Sequence, residues 1–155
     1  MISENQLEIP PALHELGQEE CFRLLATQEV GRLGVQAGPY PLIFPVNYAL
    51  DGNVIVIRTN RGLKMRAAAS SYVSFEVDDI DRFRRIGWSV LVRGMAQDVS
   101  KQYDDEVVER TRATGLQPWP AGEHGLWIRI LPHEVSGRQI MPVEPPPAFE
   151  PSGYL

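Results

Sequence analysis

The chain has 155 residues, a net charge of −5 and a single cysteine, Cys21. A chain of this length makes one domain that buries about two-thirds of its unfolded surface. The acidic balance argues against a general nucleic-acid binder, because neutralising phosphates needs a basic face, and one cysteine supports neither a disulfide framework nor a cysteine zinc cluster.

The N-terminal stretch lacks a basic segment followed by an apolar one, and no apolar run approaches the roughly 18 residues of a membrane span. A cytoplasmic protein with no membrane partner is expected. Residues 1–12 read as a loose arm around Pro10 and Pro11. Over 17–29, Cys21, Leu24, Leu25 and Gln28 recur at helical spacing, with Glu19 and Glu20 in the first turn where the dipole favours acids. This predicts an amphipathic helix on a sheet, with Cys21 as a small buried residue. Residues 30–35 (VGRLGV) alternate as a strand, and Gly38-Pro39 turns the chain.

The stretch 40–66 organises the rest. A long apolar run meets Asp51-Gly52, a second β-branched run follows, and then four positive charges appear at Arg58, Arg61, Lys64 and Arg66. Two such runs joined by Asp-Gly predict a hairpin with a tight I′ turn. Pro45 cannot donate to a ladder, so it marks an edge or a bulge. Arg58 and Thr59 end the second strand, Asn60 caps a short helix over 63–69, and Lys64 sits in its first turn. Donors at a strand end and a helix N-terminus suit a phosphate.

Further on, 72–77 (YVSFEV) alternates as a strand. Asp78, Asp79 and Asp81 follow, and with Arg82, Arg84 and Arg85 beside them they read as a solvated charged loop rather than a metal site. A long strand is predicted over 87–99, with Trp88, Val90 and Val92 on one face and Ser89, Leu91 and Arg93 on the other. A second helix over 103–114, a Pro/Gly loop and a last strand over 126–131 complete the domain. Arg129, inside W-I-R-I, must reach solvent or meet an anion. The Pro-rich segment 141–155 cannot build a core and forms a tail. The expected fold is mostly β (α+β): a barrel of about six antiparallel strands with peripheral helices, over residues 13–140.

P-V-N-Y before the turn, R-T-x-x-G-x-K after it and G-W-S-V-L-V-R-G at 87–94 together resemble the FMN-binding split barrels related to pyridoxamine 5′-phosphate oxidase, in the branch that includes nitroimidazole-reductase-like proteins. The resemblance covers roughly residues 12 to 140. It implies a homodimer with FMN in a groove between subunits, the phosphate held by Arg58, Thr59, Asn60 and Lys64, and Pro45, Val46 and Asn47 beside the isoalloxazine. Trp88, Ser89 and Arg129 are further candidate cofactor contacts. The last strand only partly matches the R-L-x-P-x-R arrangement of the true oxidase, so vitamin B6 oxidation is not the expected activity.

His14, His124 and His133 have no nucleophile placed for hydrolysis and no spacing for haem. A bound flavin would itself carry the redox chemistry, leaving the protein to bind and orient it. The expected function is flavin-mediated redox of a small molecule. Two other classes stay open: a flavin or deazaflavin carrier without its own turnover, and an interaction module that binds no flavin.

Overall fold

The computed structural model describes residues 12–60, 62, 68–100 and 103–142. Its elements are β1 (Ala12–Leu16), α1 (Gln18–Leu25), β2 (Val30–Ala37), β3 (Tyr40–Asp51), β4 (Val54–Thr59), β5 (Tyr72–Asp81), β6 (Ile86–Asp98), α2 (Asp105–Ala113) and β7 (Leu126–Met141). The expected short helix over 63–69, the arm up to residue 11 and the tail from 143 onward fall wholly or largely outside the described residues. No helix among the described residues is long and apolar enough to cross a membrane.

The strands run in the order β1-β7-β4-β3-β2-β5-β6, and β6 pairs back onto β7, so six antiparallel strands close on themselves and β1 adds a seventh. Closure depends on β7, which is far longer than the 126–131 expected from sequence. Its first half pairs with β4 and its last residues with β1, while β6 runs beside both halves. The β6–β7 register shifts between Arg93 and Gly94, because Arg93 lies opposite Glu134 and Gly94 opposite Pro132. His133 is the extra residue of this bulge, which bends β7 so that it can serve two neighbours. A Cβ on Gly94 would fall 2.1 Å from the Leu131 carbonyl oxygen, so only glycine permits the approach.

The hairpin is present, but its turn lies one residue further on than expected. Asp51 pairs with Val54, leaving Gly52-Asn53 as the two-residue loop. Gly52 has φ +57° and Asn53 is not among the non-glycine residues with positive φ. That sign pattern belongs to a II′ turn rather than I′.

The barrel is filled by alternate residues of each strand, including Leu33, Ile55, Ile57, Phe75, Val77, Val90, Val92, Ile128 and Ile130. α1 covers one end with Cys21, Phe22, Leu24 and Leu25. It stops at Leu25, short of the 29 expected. Thr27 Oγ1 donates to the Leu24 carbonyl at 2.6 Å and the Tyr48 hydroxyl donates to the Leu25 carbonyl at 2.5 Å, so side chains take up the helix's free acceptors. Burial pushes the Tyr48 hydroxyl pKa up. α2 is capped by Asp104, whose carboxylate accepts from the Glu106 N–H at 3.0 Å.

The acidic run expected as a loop after residue 77 instead continues β5 to Asp81, paired with β6, and its charges are taken up locally. Arg32 meets Glu76 at 2.7 Å and Asp78 at 2.8 Å, and Asp81 accepts from the Phe83 and Arg84 N–H groups in the hairpin turn.

Candidate functional site

β3 and β4 form a ladder only from Tyr48↔Ile57 to Asp51↔Val54. Carried on in the same register, Asn47 would face Arg58, Val46 would face Thr59, and Pro45 would face Asn60. No pairing joins these three couples, and the strands part there. The local cause is Pro45, which has no N–H to give a neighbour. On its other side β3 stays paired with β2 without a shift, from Val30↔Asn47 to Ala37↔Tyr40, so Pro45 sits on an edge and the alternative of a bulge is not realised.

The parting is a cleft of about 180 Å³, and all six of these residues line it. The sequence resemblance implies that all six border one cofactor, and the strand register brings the two groups to face each other across the slit. One lip offers a guanidinium, a hydroxyl and an amide from Arg58, Thr59 and Asn60. The other offers the apolar faces of Pro45 and Val46 beside the amide of Asn47. The cleft continues into an open hollow of about 610 Å³ that shares Arg58, Asn60 and His124 with it.

The roof was not foreseen. Pro118, Pro120, Ala121, Gly122, Glu123 and His124, from the loop between α2 and β7, close over the slit. Asn47 and Arg58 anchor that loop. Asn47 Oδ1 accepts from the Trp119 N–H at 2.9 Å, while its Nδ2 donates to the Glu29 carbonyl at 3.3 Å. Arg58 Nε donates to the His124 carbonyl at 3.1 Å and Nη1 to the Leu116 carbonyl at 3.2 Å, with its guanidinium 4.8 Å from the centre of the Trp127 ring. None of these contacts uses Nη2. The only sequence signal for the roof was its position: a Pro-Trp-Pro segment leading directly into the strand that pairs with Thr59.

The remaining candidates lie elsewhere. Lys64 is outside the described residues. Trp88 and Ser89 line a separate groove of about 550 Å³ with Leu13, Ile80 and Arg138, and Trp88 also packs on the core. Register decides this, because both residues sit where β6 meets the far end of β7. Arg129 is buried and not at the cleft. Of the two expected outcomes, solvent or an anion, it meets an anion, but that anion is Asp51 at 2.8 Å, and Nη1 also donates to Thr111 Oγ1 at 2.9 Å. Asp51 contacts Arg110 as well, at 3.1 Å. Burial alone would raise the Asp51 carboxyl pKa, but the two arginines outweigh it and hold the pKa below its ordinary value.

A family model described as pyridoxamine 5′-phosphate oxidase matches residues 17–139. The chain belongs to that family. It is 36% identical over 133 residues to Rv0080, an uncharacterized protein of Mycobacterium tuberculosis, covering 82% of this chain and 85% of the relative. Among solved structures it is similar to the FAD binding protein from Mycobacterium smegmatis, with TM-score 0.73 and 34% identity over 82% of this chain and 98% of the other. A FAD-binding protein from Mesorhizobium loti follows, with TM-score 0.69 and 25% identity over 84% of this chain and 98% of the other. Both are flavin-binding members of the same fold. In this chain the barrel opens at the slit between β3 and β4 and is closed elsewhere by the β6–β7 pairing.

Proposed function

We propose that the protein is a flavin-dependent oxidoreductase that holds its flavin at the slit between β3 and β4 and turns over a small molecule there. The observation that carries this is the meeting of an anion-binding lip and an apolar, hydrogen-bonding lip at one unpaired strand edge. A flavin nucleotide has the matching chemistry. Its phosphate suits Arg58, Thr59 and Asn60, with Lys64 as a further ligand, and its ring suits Pro45, Val46 and Asn47, whose unladdered backbone can meet a polar edge. When bound, the flavin supplies hydride or electron transfer. The chain's own residues bind it, orient it and keep the roof in place through Asn47 and Arg58.

FMN and FAD both carry the riboflavin phosphate this donor set fits. The resemblance in sequence motifs favours FMN, and the two FAD-binding neighbours favour FAD. A cytoplasmic homodimer with both chains at each site accompanies this reading. It is supported by large apolar side chains left exposed on one protomer, among them Leu13, Tyr40, Ile43, Tyr72, Ile80 and Phe83.

Purified protein is expected to be yellow, to release FAD or FMN on denaturation, and to run as a dimer in light scattering. A cofactor that turns over would be reoxidised by an added acceptor faster than by air. Bound flavin without such an acceptor would point to a carrier, a deazaflavin spectrum would change the cofactor, and protein that binds none of these would refute the proposal.

A further inference from the structure

The Trp88 groove, about 550 Å³, lies at the opposite end of β7 from the slit and takes no part in the flavin reading. Its floor is apolar and open to solvent, with Leu13 60%, Ile80 61% and Ile140 41% exposed beside Trp88. Its rim carries Arg82, Arg85 and Arg138, and among the described residues none of these three pairs with a carboxylate. Asp81, the groove's own carboxylate, accepts instead from the Phe83 and Arg84 N–H groups. On a chain of net charge −5, this is a locally cationic rim around an apolar floor, which suits an apolar segment carrying carboxylates.

β7 leads out of this groove. Its last pairs are Ile140 with Gly87 and Met141 with Ala12. Carried on in the same register, Met141 would face Ile86 and Pro142 would face Arg85, so the following chain sets out beside the turn that bears Arg82 and Arg85. Residues 143–155 hold Glu144 and Glu150, the apolar Val143 and Phe149, and no Lys or Arg. Glu144 comes two residues after Pro142. Pro145, Pro146 and Pro147 favour polyproline geometry, in which a segment docks on an aromatic-lined groove at little entropic cost, and 143–150 would then reach about 25 Å.

We infer that residues 143–150 dock in the groove of their own protomer, Glu144 and Glu150 meeting the arginine rim and Val143 and Phe149 covering the apolar floor. This goes beyond the flavin reading and does not depend on it. The tether makes docking intramolecular, at an effective concentration on the order of millimolar, so contacts that are weak singly suffice. The docked segment shields Leu13 and Ile80, and leaves Ile43 and Tyr72, which line a separate hollow, for a second protomer.

Elastase cleavage after Ala148 in the full chain, read by mass spectrometry, tests this against a synthetic peptide of residues 143–155. The parent is expected to be cut about tenfold more slowly than the peptide. Arg82→Ser with Arg85→Asn removes two rim charges, the asparagine suiting the φ of +55° at that position, and should raise the rate about fivefold at an unchanged melting temperature. Glu144→Gln should speed cleavage of the parent about threefold and leave the arginine variant unchanged, as expected for exposed ion pairs. The inference is overturned if the parent is cut as fast as the peptide, if the arginine variant is cut no faster than the parent, or if Glu144→Gln acts alike in both backgrounds. Should the arginine variant melt early, Glu144→Gln in the parent decides alone, and no acceleration overturns the docking. Protection that falls on dilution would put the segment on a second copy of the chain and overturn its assignment to its own groove.

Discussion

Removing the carboxylate of Asp51 is expected to cost about 3 kcal/mol of stability and to leave flavin affinity within about twofold. Arg129 keeps only 8% of its side-chain exposure and Asp51 15%, so the pair is close to fully desolvated. Deleting one partner of a buried pair costs about 3–5 kcal/mol, and the partial access of water to Asp51 places this case at the lower end. Asp51→Ala leaves the Arg129 guanidinium with Thr111 as its remaining protein partner. Arg129→Met should cost less, about 1–2 kcal/mol, because Asp51 keeps Arg110 and lies nearer to solvent. The double variant strands no charge, so it should lose about 2 kcal/mol less than the sum of the singles. Urea unfolding with unchanged m-values gives all three numbers. The pair also has a signature in acid. Its folded pKa is depressed, so its contribution is present above the ordinary carboxylate range and is lost as pH falls through the lower folded value. The stability gap between the parent and Asp51→Asn should therefore shrink from about pH 5 towards pH 2. Additive single losses would refute the pairing argument. A tenfold change in flavin affinity for Arg129→Met, at unchanged stability, would return Arg129 to the ligand site.

Lys64→Ala should weaken FMN and FAD binding by about tenfold to a hundredfold and barely change riboflavin binding, and equal losses for all three in titration would show damage to the fold instead. Asn47→Ala removes the acceptor for Trp119 and the donor to Glu29; about 1–2 kcal/mol of stability should go, with faster hydrogen exchange at the Trp119 amide, and unchanged exchange would deny the anchor. Gly94→Ala sets a methyl against the Leu131 carbonyl and should cost more than about 2 kcal/mol or prevent folding. An unaltered melting temperature would contradict the bulge geometry.

What the sequence made legible was whatever is encoded by neighbours along the chain. Period-two alternation exposed β2, β5 and β6, and helical spacing exposed α1 and α2 to within a few residues of their ends. The slit was half legible: Pro45 announced that a ladder must stop, and Arg58 and Thr59 announced a polar strand end, but only the register shows that these interruptions face each other. The roof was hidden because an irregular segment has no period, and its place above Arg58 follows from the pairing of Thr59 with Leu126 far along the chain. The second half of β7 was missed for a related reason. Its residues His133 to Arg138 are mostly polar, and the strand is held by pairing with β6 along this half and with β1 from Gly137 onward rather than by its own propensity. Trp88 and Ser89 show the same limit, since their strand and faces were read correctly while the end of the barrel they occupy depends on the bend at Gly94.

The position of the site follows from how a closed barrel handles an edge. A ladder that stops leaves backbone donors and acceptors unpaired, and a protein must cover them, charge them or use them. Here β6 and β7 close the barrel on one side, so the opening between β3 and β4 does not unravel the sheet. The cost of the missing rungs is met by side chains instead: Asn47 and Arg58, one on each lip, bind the backbone of a loop that neither strand could have paired with directly. The same two residues therefore keep the slit open and roofed. The lips beyond them, Pro45 with Val46 and Thr59 with Asn60, make no contact of this kind with that loop's backbone among the described residues and are where the proposed flavin would lie. Asp51 ties the far end of this hairpin to α2 through Arg110 and to β7 through Arg129, so the two lips diverge from a turn that is anchored to the rest of the barrel.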